Sequence, residues 1–132
     1  MDLNLKEKII VVTGGSKGIG YGICEQLIKE GAIPVIVGRD KRSIPHAVKK
    51  LKETGGNVGF AFAELTDPKD CKKAVEQIIS EYGLIDGLVN NAGVNDGVSL
   101  ADGDFESFTK SIHSNLTHYF MMAHYSLPAL KK

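Results

Sequence analysis

The sequence predicts an α/β fold, a parallel sheet covered by helices on both faces. Four short apolar runs, at 9–12, 34–37, 58–63 and 85–89, alternate with stretches of helical period through glycine-bearing turns. The first two runs carry no polar residue at all, which suits strands buried on both sides. Run, turn, helix, turn and next run is the order of a right-handed βαβ crossover, and such crossovers build parallel sheets.

The first run, Ile9-Ile10-Val11-Val12, stops in Thr13-Gly14-Gly15-Ser16-Lys17-Gly18-Ile19-Gly20. Gly14, Gly18 and Gly20 set a GxxxGxG spacing. Glycine at such points allows positive φ and lets the backbone approach a pyrophosphate with no Cβ in the way. A helix beginning near Gly18 turns its free N–H groups to the same place, so a phosphorylated ligand is predicted. The spacing is not that of a Walker A loop, because Lys17 is followed by Gly18 where Ser or Thr is required, and it is not GxGxxG either. Ile19, Ile23, Leu27 and Ile28 form the stripe of this helix, Gly22 is read as a small residue in contact with the sheet, and Gly31 ends the helix.

The second strand ends at Gly38-Arg39-Asp40, where a dinucleotide fold separates its cofactors. An acid there binds the ribose hydroxyls of NAD, whereas an arginine accommodates a 2′-phosphate. Asp40 lies about twenty residues past the loop, the spacing of the ribose acid, and Arg39 is the competing candidate. Ser43 is placed to cap the next helix, with Ile44, Ala47, Val48 and Leu51 as its stripe and 54–57 as its closing turn. The third strand runs into Glu64-Leu65-Thr66-Asp67. Asp67 and Pro68 then read as cap and first residue of a helix whose buried face is Cys71, Ala74, Val75, Ile78, Ile79 and Tyr82, ended by Gly83. The fourth strand leads into Asn90-Asn91-Ala92-Gly93. Ligands of parallel sheets bind beyond the carboxyl ends of the strands, where Gly14 and Gly93 would both lie. After a polar loop at 94–103, Phe105, Phe108, Ile112, Leu116, Tyr119 and Ala123 predict one long amphipathic helix, with Asn115, a weak helix former, inside it.

Sixteen basic residues balance sixteen acidic ones, and 42% hydrophobic with 24% charged residues is an ordinary globular composition. With no basic excess, a nucleic-acid partner is not expected. No apolar run approaches a membrane-spanning length, and residues 1–8 are polar, with Asp2 and Glu7, unlike a signal peptide, so a cytoplasmic protein without a membrane partner is expected. Cys24 and Cys71 stand alone in separate helix patterns and are expected as free, buried thiols. His46, His113, His118 and His124 lack ligand spacing, so no metal site is predicted.

The stretch Thr13 to Gly20 resembles the cofactor loop, TGxxxGIG, of the short-chain dehydrogenases/reductases, and Asn90-Asn91-Ala92-Gly93 resembles their second signature. Order and separation match, and the resemblance runs over essentially the whole chain. It implies a Rossmann-type doubly wound parallel sheet with strand order 3-2-1-4, forming one incomplete NAD(P)-binding domain over residues 1–132. The implied activity is hydride transfer between a nicotinamide and a small-molecule alcohol or carbonyl substrate. The implied cofactor contacts are Thr13, Gly14, Ser16, Lys17, Gly18, Ile19, Gly20, Arg39, Glu64, Leu65, Asn91, Ala92 and Gly93. Glu64 stands where family members usually carry an aspartate that meets the adenine amino group. Gly38 takes the position of the NAD-selecting acid, and Arg39 with Lys17 matches NADP-preferring members, so the resemblance implies NADP with NAD as the alternative. It also implies that Asn90 ties strand ends together, that Asn115 is catalytic through a water of the proton relay, and that the complete protein is a homo-oligomer, dimer or tetramer.

The family protonates its substrate oxygen with a Tyr-x-x-x-Lys motif and a preceding serine. None of the four tyrosines here has a lysine four residues on. The 132 residues alone are therefore expected to be inactive, and their fourth strand to present an unpaired apolar edge that lowers solubility. Gly31-Ala32-Ile33-Pro34-Val35, residues 86–96 and Met122-Ala123-His124-Tyr125 resemble a sugar-oxidising branch, the bacterial L-fucose dehydrogenases, which implies oxidation of an aldose at its anomeric carbon to a lactone. A carbonyl reductase of the 3-oxoacyl-carrier-protein type and a non-catalytic NADP-binding module are the alternatives.

Overall fold

In the computed structural model, which describes residues 1–132, β1 (Ile9–Thr13) is buried along its whole length because a parallel strand flanks it on each side. β2 (Ile33–Gly38) pairs with one edge of β1 and β4 (Gly87–Val89) with the other, while β3 (Gly59–Phe62) continues the sheet beyond β2. The order is β3-β2-β1-β4, all parallel, with Val11 level with both Val35 and Leu88. This is the predicted Rossmann-type order. The crossovers are α1 (Gly18–Lys29), α2 (Ser43–Glu53) and α3 (Pro68–Tyr82).

Alternate residues of the strands feed two separate cores. Ile9, Val11, Val35 and Val37 pack with Ala61 against Cys71, Val75 and Ile78 of α3, whereas Ile10, Val12 and Ile36 pack against Cys24, Ile44 and Leu51 on the other face. That two-sided burial explains why β1 and β2 carry no polar alternation. The helix ends follow local chemistry. The Asp67 carboxylate accepts the Lys69 amide at 2.9 Å with Pro68 in the first helical position, and Gly31 (φ +78°) and Gly83 (φ +82°) close α1 and α3 in the left-handed region.

Three local expectations are corrected. Ser43 does not cap α2: it is the first helical residue, and Asp40 does the capping, its carboxylate accepting the amides of Arg42 (2.8 Å) and Ser43 (3.0 Å). Gly22 makes no close approach, since a Cβ there would meet nothing within 4 Å; Gly20 is the glycine that the packing requires. The single helix over 105–123 is broken into α4 (Phe105–Ile112), a wide π turn (His113–Thr117) and α5 (His118–Leu130). Beyond the turn, the inserted residue brings His118, Met122, Ser126 and Ala129 of α5 to the buried face, while Phe105 and Phe108, which precede it, and Leu116 are exposed. No helix is long and apolar enough to cross a membrane.

Both cysteines are free and buried, as the sequence predicts. Burial pushes the Cys24 thiol up to about 12 and, with help from Asp67 and Asp70, the Cys71 thiol up to about 11. Only the thiolate is nucleophilic. Both cysteines are therefore expected to resist iodoacetamide at pH 8 in the folded protein and to label in denaturant; rapid native labelling of either would contradict the burial.

Candidate functional site

The carboxyl ends of the four strands open onto a cleft of about 530 Å³, within the range of small-molecule sites. Its floor is a crossing of two backbone segments. Gly14 turns with φ +67°, and a Cβ on it would stand 2.9 Å from the Ala92 Cα; a Cβ on Gly20 would stand 2.3 Å from the Gly14 carbonyl oxygen. The Asn91 amide locks the crossing by donating from Nδ2 to the carbonyls of Thr13 (3.0 Å) and Gly14 (3.2 Å). Beneath it the buried Thr13 hydroxyl accepts the amides of Asn91 and Ala92, each at 3.0 Å. The strand-end tie expected of Asn90 is thus made by Asn91. Asn90 instead donates to the Tyr119 carbonyl at 3.2 Å and anchors α5 to the end of β4.

The start of α1 faces this cleft uncapped. Its cap position, Lys17, makes no side-chain hydrogen bond to the helix, and the Ser16 hydroxyl is paired with that of Ser43 at 3.1 Å. The first-turn N–H groups are left for an anion. Gly18 (φ +58°) has open space around its Cβ position, and Ile19 projects, 80% exposed, beside the loop.

Two ion pairs stand at the β2–β3 end of the cleft. Lys17 Nζ lies 3.9 Å from Asp40, and Arg39 Nη1 donates to Glu64 Oε2 at 3.1 Å. The other oxygen of Glu64 accepts the Thr66 hydroxyl at 2.9 Å. Partial burial would raise the Glu64 carboxyl, but hydrogen bonds from Thr66 and Arg39 outweigh it and hold the group below its ordinary range. Hydrogen bonds from the Ser43 and Arg42 amides hold the exposed Asp40 carboxyl below its ordinary range as well. Asp40 is therefore engaged as a helix cap, and Glu64 already holds a partner on each oxygen.

Of the residues expected at the cofactor, Gly14, Ser16, Lys17, Ile19, Gly20, Arg39, Glu64, Leu65, Asn91, Ala92 and Gly93 line this one cleft. Thr13 lies under it, and Gly18 sits at the helix start without lining it. Asn115 stands just behind: its Oδ1 accepts the Val94 amide at 2.7 Å and would be 3.0 Å from a Cβ on Gly93.

The family profile for the short chain dehydrogenases matches residues 8–132. The chain belongs to that family. Among the relatives of this short-chain dehydrogenase chain is the 3α-hydroxysteroid dehydrogenase of Mediterraneibacter gnavus, 31% identical over 91% of the chain and 49% of the relative. An L-sorbose reductase from Gluconobacter frateurii, solved with NADPH and L-sorbose, superposes with a TM-score of 0.91 at 30% identity, over 99% of this chain and 50% of that one. An NADH-dependent reductase solved with NAD superposes at 0.88 and 30% identity, over 99% and 55%. The short-chain dehydrogenase chain spans about half the length of these proteins.

Sequence reasoning missed Thr66, Ser114 and His118 as residues of the site, and it read Asp40 as a ribose acid where the structure makes it a helix cap. Thr66 holds Glu64, Asp40 caps α2, and Ser114 and His118 line the cleft from the wide turn and the start of α5. Only Asp40 left a signal, the Asp-x-x-Ser spacing before an apolar stripe. The others depend on which distant segment folds against them.

Proposed function

We propose that the cleft holds a nicotinamide dinucleotide, NADP in preference to NAD, and that the full-length protein passes a hydride between it and an alcohol or carbonyl carbon of a sugar-like substrate, an L-fucose-type aldose. One observation carries the reading: an uncapped helix start, the Gly14–Gly20 crossing and the cations Lys17 and Arg39 converge on one cleft. The residues fit such a group. The N–H groups of α1 would meet the pyrophosphate without an intervening side chain, and the helix dipole favours the negative charge. Arg39 spends one of its five N–H donors on Glu64 and keeps four for a 2′-phosphate.

A bound nicotinamide supplies or accepts the hydride. The chain's own contribution is to hold groups around it. Ala92 and Gly93 would admit a ribose at close range, with the Thr13 hydroxyl fixing the backbone at Asn91 and Ala92. Asn115 spends one hydrogen-bonding position of each amide atom, on Val94 and Ser111, and keeps one on each for a relay water. Replacing Asn115 with Ala in the full-length protein is expected to lower kcat about tenfold or more with little change in cofactor affinity. Unchanged turnover would remove Asn115 from the mechanism.

The Gluconobacter frateurii relative, with its NADPH and L-sorbose, supports both a phosphorylated dinucleotide and a polyhydroxylated substrate. The cofactor test is a fluorescence titration of the full-length protein with NADPH and NADH. Arg39→Ala is expected to weaken NADPH about 10- to 100-fold and to leave NADH nearly unchanged, since the lost contact is a charged hydrogen bond to the phosphate. Glu64→Gln, which removes the competing carboxylate, is expected to move the NADPH-to-NADH preference the other way. A wild-type preference for NADH would sink the NADP assignment. For the substrate, L-fucose should be oxidised and acetoacetyl thioesters ignored; the reverse would place the reaction with the 3-oxoacyl reductases.

A further inference from the structure

We infer that His118 is a positioning residue: it holds the wide turn that presents Asn115 to the cleft. In the eight residues from Ser111 to His118 the helix is loosened by side chains that donate back to carbonyls four residues earlier. Asn115 Nδ2 reaches Ser111 O at 3.0 Å, Thr117 Oγ1 reaches His113 O at 2.9 Å, and His118 Nε2 reaches Ser114 O at 3.0 Å. Such back-bonding competes with the helical ladder and bends it, and π turns often mark functional positions. His118 differs from the other two in being almost fully buried, 2% exposed, with its ring edge-on to Tyr119 at 5.1 Å. A carbonyl can only accept, so Nε2 carries the proton and Nδ1 is a bare lone pair, buried without a partner. A buried, orphaned nitrogen is costly, and an apolar side chain would fill the same space without it. What the histidine supplies in return is a donor rigidly fixed under Ser114, the residue that precedes Asn115 and itself lines the cleft. With Ser114 held from below and Val94 bonded to Asn115 Oδ1 from above, the asparagine has one arrangement.

The activity arm of the test rests on the oxidoreductase reading; the exchange arm does not. In the full-length protein, His118→Gln keeps a donor near the Nε2 position, His118→Asn moves it back towards Nδ1, and His118→Leu removes it. The expected result is that Leu and Asn lower kcat about tenfold or more, with the cofactor KM within about twofold, while Gln restores most of the rate. Because His118 acts through Asn115, Asn115→Ala should cost little further in the Leu background. Independently of any turnover, the Val94 amide, which is bonded to Asn115, should exchange about tenfold faster in the Leu and Asn variants than in Gln or wild type. Equal behaviour of Gln and Asn, independent losses in the double variant, or unchanged Val94 exchange would each overturn the assignment. If the Leu variant fails to fold, the Gln and Asn pair decides. Absent turnover in the wild type with Val94 exchange behaving as expected would sink the oxidoreductase reading and leave the positioning role standing.

Discussion

Thr13→Val is expected to destabilise the full-length protein by about 2–6 kcal/mol, read as a fall in the denaturant midpoint. The substitution is nearly isosteric, so packing hardly changes. What disappears is one buried oxygen that accepts the amides of both Asn91 and Ala92 at 3.0 Å. Two partly buried N–H groups would lose their acceptor, each at a cost of about 1–3 kcal/mol. Thr13→Ser keeps the oxygen and should recover most of the loss, leaving about 1 kcal/mol for the missing methyl group. If Val and Ser were equally mild, the hydroxyl would not be the tie between β1 and the segment after β4.

The second large effect concerns the glycine crossing. Gly20→Ala puts a Cβ 2.3 Å from the Gly14 carbonyl oxygen and 2.5 Å from Asn91 Nδ2, too close for any real contact. One of those neighbours is backbone and the other is the amide that locks the loop, so neither can yield without opening the floor of the cleft. NADPH affinity in the full-length protein is expected to fall by about 100-fold or more, the scale of a few kcal/mol of lost contact. Gly22→Ala is the matched control. It adds the same atom two residues later in the same helix, where nothing lies within 4 Å. There it should leave affinity unchanged and raise stability by up to about 1 kcal/mol, because alanine loses less backbone entropy than glycine in a helix. Equal effects of the two substitutions would mean that helix α1, and not the crossing, responds to the added methyl.

What the sequence determined by itself is what local chemistry controls. The β-branched runs, the glycines after α1, α2 and α3 and the Asp67-Pro68 start are set by residues within a turn or two, and strand order followed once the segments were recognised as short-chain dehydrogenase units. The cleft residues were legible for the same reason, since the GxxxGxG loop and Asn90-Asn91-Ala92-Gly93 are contiguous stretches. The tertiary structure decided which side chain meets which. Arg39 and Glu64 are 25 residues apart in the chain, and Thr13 and Asn91 are 78 apart, so no local pattern tells that the first pair is an ion pair or that Asn91, not Asn90, locks the loop. It also decided the break in the last helix. A stripe read at 3.6 residues per turn assumes a continuous backbone ladder, and side chains returning donors to Ser111, His113 and Ser114 interrupt that ladder. The interruption turns Asn115 towards Val94, 21 residues earlier in the chain, and buries His118, and neither contact can be read from the local pattern.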